Sequence, residues 1–149
     1  MLALAVVAGL AWGIVALTAP DARAPRTRPE RLLNSSKAQI LAVEVVDPAT
    51  GRRVAAASDQ LRTLAADLTP LLAIRALPTV RSDYGLDAPF ARVEARTAKG
   101  ALPALLLGGT NFDGTGYYAR IEGRRGAALV LVRIGDTAKS VLAASPQRA

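Results

Sequence analysis

Residues 90–107 read FARVEARTAKGALPALLL, and the two halves of this stretch can face each other across Lys99-Gly100. In the first half, Phe90, Arg92, Glu94 and Arg96 alternate with Ala91, Val93 and Ala95. A period of two puts the small apolar set on one face of a strand and the charged set on the other. Lys99-Gly100 supplies the turn, and residues 102–107 return as an apolar strand in which Pro103 marks an edge or a bulge. A half-buried antiparallel pair needs further strands beside it and a layer over its apolar side.

The same signals recur outward from this pair. Residues 40–46 (ILAVEVV) form a β-branched run, closed by the turn-rich Asp47-Pro48-Ala49-Thr50-Gly51, and residues 52–57 return as a second strand. Ser58 and Asp59 are the expected N-caps of a helix over 60–72, in which Leu61, Leu64, Ala65, Leu68 and Leu72 fall at helical spacing and Pro70 shortens or bends the last turn. Residues 82–89 and 108–116 read as loops. Residues 117–122 and 127–133 make a final hairpin across Gly123-Arg124-Arg125-Gly126, and Asp136 is the expected cap of a helix over 137–144. The order ββαββββα predicts an α+β domain over 38–149, a small antiparallel sheet with helices on one face.

Composition narrows the chemistry. The 149 residues include no His and no Cys, with nineteen Lys and Arg against twelve Asp and Glu. An imidazole base, a thiolate nucleophile, a Cys/His zinc site and a disulfide are therefore all excluded. Aromatic residues are 4%, so the core must be built from Ala, Val, Leu and Ile.

Residues 2–19 (LALAVVAGLAWGIVALTA) carry no charge. Eighteen residues give roughly 27 Å of helix, enough for a hydrocarbon core of about 30 Å, so residues 1–19 are expected to be a transmembrane helix. A cleaved signal peptide is the competing reading, with Ala22-Arg23-Ala24 as its cleavage site, but no basic residue precedes the apolar run. Ala5, Gly9 and Gly13 fall on one helix face, a stripe on which a partner helix can pack, and Trp12 lies mid-span, better housed against protein than lipid. Residues 20–37 hold three prolines and five basic residues and read as a linker. Arg23, Arg26, Arg28 and Arg31 are placed to meet anionic lipid headgroups. Under the positive-inside rule these arginines put the domain on the cytoplasmic side.

Tyr84-Gly85-Leu86-Asp87-Ala88-Pro89 is followed by a strand, a turn, Leu105-Leu106-Leu107-Gly108, and Asp113-Gly114-Thr115-Gly116-Tyr117-Tyr118-Ala119-Arg120. In this order the residues from 65 to 132 resemble a bacterial membrane-anchored family of unknown function whose hallmark is Tyr-Gly-Leu-Asp-x-Pro. Members usually carry a Trp and a Pro between the first hairpin and the helix, where this chain has Ala55-Ala56-Ala57-Ser58. The resemblance implies an extracytoplasmic domain anchored in the inner membrane, opposite to the arginine bias. Its relatives include auxiliary proteins of gliding-motility and ABC-2-type exporters, and it implies no catalytic residues.

Other motifs dissolve on inspection. Asn111, Asp113 and Thr115 have the spacing of a cation loop but lack its bidentate Glu. Asp113-Gly114-Thr115-Gly116 interrupts the aspartic-protease triplet and occurs once. Gly108-Gly109-Thr110 has no following Lys, which argues against a phosphate loop. Arg52-Arg53 and Arg124-Arg125 sit at turns without the interleaved aromatics of single-strand binders, so no nucleic-acid partner is expected. Tyr117 and Tyr118 point to opposite faces, one toward the core and one outward.

The sequence thus predicts a non-enzymatic accessory subunit, without cofactor or metal, that contacts a larger integral-membrane complex such as an exporter or a respiratory or photosynthetic assembly. Ala5, Gly9, Trp12 and Gly13 are its expected helix-packing residues. Tyr84, Leu86, Asp87, Tyr117, Tyr118, Arg124 and Arg125 are its candidate interface. The alternative is a tethered module for a small anionic or envelope ligand, gripped by Arg52, Arg53, Arg124 and Arg125, which requires the two turns to share one concave surface. A hydrolase using carboxylates or a Ser–Lys pair has no motif to support it.

Overall fold

The structure, a computed structural model, describes residues 30–33 and 39–144. The expected transmembrane segment, with Ala5, Gly9, Trp12 and Gly13, lies outside the described residues. Among the described residues no helix is long and apolar enough to cross a membrane.

The elements run β1 (Arg31–Leu33), β2 (Ile40–Val46), β3 (Arg53–Ala55), α1 (Ser58–Leu68), β4 (Leu71–Leu72), β5 (Arg75–Leu77), a 3₁₀ turn (Ser82–Tyr84), β6 (Ala91–Thr97), β7 (Gly100–Ala101), β8 (Leu105–Thr110), β9 (Gly116–Ile121), β10 (Ala127–Leu131) and α2 (Val132–Ala144). One antiparallel sheet has the order β3-β2-β6-β8-β9-β10-β5, with β7 on β6, and β1 pairs separately with β4. The α+β expectation holds for the described domain.

Register carries the apolar alternation from strand to strand. Val45, Val93, Leu105 and Ile121 stand opposite one another across β2, β6, β8 and β9, and Ala91, Leu107, Ala119 and Ala128 across β6, β8, β9 and β10. All of these but Ala128, which is itself buried, form one cluster with Leu64 and Leu68 of α1 and with Ile134, Ala138 and Val141 of α2. Both helices therefore seal the same face. Leu64 is fully buried, and its side chain alone removes enough apolar surface from water to contribute about 1.5–3 kcal/mol.

Several boundaries differ from the sequence reading. Helix α1 starts at Ser58, so Ala57 and not Ser58 or Asp59 is the N-cap, and the Gln60 side-chain carbonyl accepts the Ala57 N–H at 3.2 Å. It ends at Leu68, because Pro70 cannot continue the helical ladder, and Leu71–Leu72 turns into β4. Three residues of the expected linker, Arg31–Leu33, pair with this strand, and Leu33 is buried in the core. The short edge strand β5 on β10 was not anticipated. Strand β8 runs on to Thr110 and shortens the expected 108–116 loop to residues 111–115.

Helix α2 begins at Val132, directly after β10, so Asp136 lies inside the helix instead of capping it. It is tied down from the sheet. The buried Tyr117 hydroxyl donates to Asp136 Oδ1 at 2.9 Å and accepts from Lys139 Nζ at 2.8 Å, and that ammonium stands over the Tyr117 and Phe90 rings. Gly135 lies flat against the Tyr117 ring, where a β-carbon would overlap it. The two helices are joined by Arg133, whose guanidinium donates to both carboxylate oxygens of Asp67. Asp67 is the one buried charged residue among the described residues, and this bidentate partner is what makes its burial tolerable.

Candidate functional site

The opposite face of the sheet is polar. Glu44, Arg53, Glu94, Arg92 and Glu122 form a continuous ladder, with Arg53 2.8 Å from Glu94, Arg92 Nε 2.8 Å from Glu94, and Arg92 bidentate to Glu122. Burial raises the Glu94 pKa, but the Arg53 hydrogen bond and the charges of Arg53 and Arg92 outweigh it and hold the carboxyl below its usual range. Every charge in this ladder is already answered.

The 82–89 segment is built into the same face. Gly85 adopts a left-handed backbone (φ 67°) that ends the 3₁₀ turn, which suits glycine. Its neighbour Tyr84 lays its carbonyl against Gly108 so closely that a side chain there would collide with backbone. The Tyr84 ring stacks on Tyr118, centroids 4.1 Å apart. Leu86 is buried at 1% exposure, so it belongs to the core and is closed to a partner, whereas Asp87 is exposed. Tyr117 likewise faces the core. Of the seven expected interface residues, the structure brings Tyr84 and Tyr118 together and, separately, Arg124 and Arg125.

The two arginine turns do not converge. The β2–β3 turn and the β9–β10 turn leave opposite ends of the sheet, with β6 and β8 between the hairpins. Their side chains also differ in use. Arg52 donates to the Leu142 carbonyl at the end of α2, and Arg53 belongs to the ion ladder. The shared concave surface that the four-arginine ligand module required is absent.

Arg124 and Arg125 instead border a groove of about 310 Å³ beside β1 and β5. Arg120 lines it too, together with Leu32, Leu77 and Pro78. Arg124 Nη1 donates to the Leu32 carbonyl at 2.7 Å, which fixes the turn against the chain entering the domain. Arg120 and Arg125 have no ion-pair or hydrogen-bond partner among the described residues. Sequence reading missed Arg120; the available signal was its place two residues after Tyr118, on the same outward strand face.

Phe112 was missed as well. It is 100% exposed at the tip of the 111–115 loop. The loop is closed by its own polar groups: Asn111 Nδ2 donates to Thr115 Oγ1, and the Thr115 hydroxyl and N–H both donate to Asp113 Oδ1. Those donors hold the Asp113 carboxyl below the usual carboxylate range, so the three side chains at cation-loop spacing serve as hairpin closure.

No group of three or more Asp or Glu among the described residues is placed to hold a metal ion. The carboxylates with shifted titration, Asp47, Glu94 and Asp113, all shift downward, through hydrogen bonds or ion pairs. None is raised toward the working range of a general acid. Comparison with known proteins finds no family model, no curated protein and no solved structure that matches the chain.

Proposed function

We propose that the chain is a non-enzymatic, single-pass membrane-anchored accessory subunit whose α+β domain contacts and stabilises a larger integral-membrane complex, an exporter or a respiratory or photosynthetic assembly. The observation that carries this reading is the charge-free run over residues 2–19, followed by Arg23, Arg26, Arg28 and Arg31. Arg31 opens β1, so the basic segment leads directly into the domain. Ala5, Gly9 and Gly13, with Trp12, give the span a face for a partner helix. The resemblance carried by Tyr84 to Pro89 supports the extracytoplasmic side of a bacterial inner membrane, against the arginine bias.

The domain's own surface supports a partner contact. Phe112 stands fully exposed on a loop closed by its own hydrogen bonds, and an aromatic presented in this way is the kind of residue that anchors an interface. The Tyr84–Tyr118 stack offers a second aromatic surface on the open face.

Purification in a mild detergent with mass spectrometry tests the reading. Co-purifying integral-membrane subunits are expected, and a monodisperse monomer without partners overturns it. Because the chain has no cysteine, a single Ala98→Cys variant gives background-free thiol labelling. Labelling by an impermeant reagent in cells with a permeabilised outer envelope but an intact inner membrane is expected for an extracytoplasmic domain; protection until the inner membrane is broken puts it on the cytoplasmic side.

A further inference from the structure

We propose that the groove between β1 and the β9–β10 turn binds the phosphate headgroup of an anionic phospholipid, with Arg120, Arg124 and Arg125 as its ligands. The groove pairs two chemistries that a headgroup also pairs. Three arginines line it, the Arg124 guanidinium reaching the Leu32 carbonyl, and Leu32, Leu77 and Pro78 supply an apolar strip for the glycerol and the first methylenes of the acyl chains. Guanidinium is the side chain best matched to phosphate, because its planar donors meet two oxygens at once.

Arg53, Arg62, Arg81, Arg92 and Arg133 are all in ion pairs. Arg120 and Arg125 have no partner among the described residues, and the hydrogen bond from Arg124 Nη1 to Leu32 leaves its other donors uncommitted. Arg31, Arg75, Arg96 and Lys99 also have no ion-pair partner among the described residues, but none of them lines this groove. The nearby Glu122 is taken by both Nη groups of Arg92, so it does not neutralise the groove. Glu30 also lines the groove, in no ion pair among the described residues, and subtracts one charge from three.

Position selects a lipid as the source of the phosphate. This step rests on the membrane-anchor reading above. Residues 20–30 separate the charge-free run from β1, and eleven residues reach at most about 40 Å. The groove, which β1 itself lines, is therefore leashed to the headgroup layer, where local anionic phosphate is concentrated and each arginine near the surface adds to attraction.

The test uses the full chain in detergent micelles doped with phosphatidylglycerol or phosphatidylcholine, with lipid adducts read by native mass spectrometry. Retention of one phosphatidylglycerol, at least roughly tenfold above phosphatidylcholine, is expected. Arg124→Glu with Arg125→Glu should reduce the adduct at least roughly tenfold, whereas Arg62→Glu with Arg81→Glu, the same change of charge elsewhere, should retain it. Because Arg124 also fixes β1, Arg120→Gln with Arg125→Gln provides a second variant that keeps that bond and should still lose the adduct. Equal retention of both lipids, equal loss in the control pair, or displacement of the lipid by an equal concentration of sn-glycerol 3-phosphate overturns the proposal. Carbonate extraction of membranes reads the anchor separately. If the chain is released by carbonate, the anchor reading fails while the adduct measurement still stands.

Discussion

On the face that α1 and α2 cover, Val45, Val93, Leu105, Leu107 and Val130 are each at 2% exposure or less and interlock with Leu64, Leu68, Ile134 and Val141. On the other face the same strands present Glu44, Glu94, Arg92, Arg120 and Tyr118 to water. The first face gains stability from volume and loses it when volume changes. The second is held by charge pairs that solvent and salt screen, so its residues can change without unfolding the domain. That freedom suits the open face to contacts beyond the domain.

The largest test of this contrast is Leu64→Ala. Removing a fully buried leucine should cost about 2–5 kcal/mol, read as a shift in denaturation midpoint with an unchanged slope. Next comes Gly135→Ala, whose methyl would enter the Tyr117 ring; overpacking of this kind should cost about 1–3 kcal/mol. The loss should shrink in a Tyr117→Leu background, and a cost independent of that background would mean the ring is not the obstacle. On the open face, Tyr84→Ala removes the stack on Tyr118 and should cost about 0.5–1.5 kcal/mol.

The smallest effect is expected at the ladder. Glu94→Gln should cost under about 1 kcal/mol, since the carboxylate is 27% exposed, and less at high salt. Its pH dependence has a definite sign. The folded pKa lies below the ordinary glutamate value, so the stabilisation is present above that value and is lost as pH falls through the folded pKa. The difference in Tm between wild type and Glu94→Gln should therefore shrink on acidification. A difference that grows toward low pH would remove the ladder's assigned role.

Much of the sheet was legible. The alternation over residues 91–97 identified the buried side correctly, because a strand with one wet face must place Ala91, Val93 and Ala95 together. The short strands were not. Arg31–Leu33, Leu71–Leu72 and Arg75–Leu77 are two or three residues long, too few to display a period, and they exist through pairing with partners distant in sequence. Helix α2 was read five residues too short because Val132 continues the apolar run of β10, and the seating of Gly135 on the Tyr117 ring, a contact distant in sequence, accompanies the helical turn.

At the candidate site the same division applies. Arg52-Arg53 and Arg124-Arg125 are indistinguishable as dipeptides at turns, yet one pair is spent on α2 and the ladder while the other borders a groove. The sequence by itself determined the absence of thiol and imidazole chemistry, the charge-free N-terminal run, and the alternating strands, since composition and local periodicity are properties of neighbours in the chain. Tertiary structure alone decided which cations are unpaired among the described residues, that Leu86 is core, that Tyr84 meets Tyr118, and that β1 closes a groove with Arg124. Those outcomes depend on strand order and register, which join residues up to ninety-two positions apart.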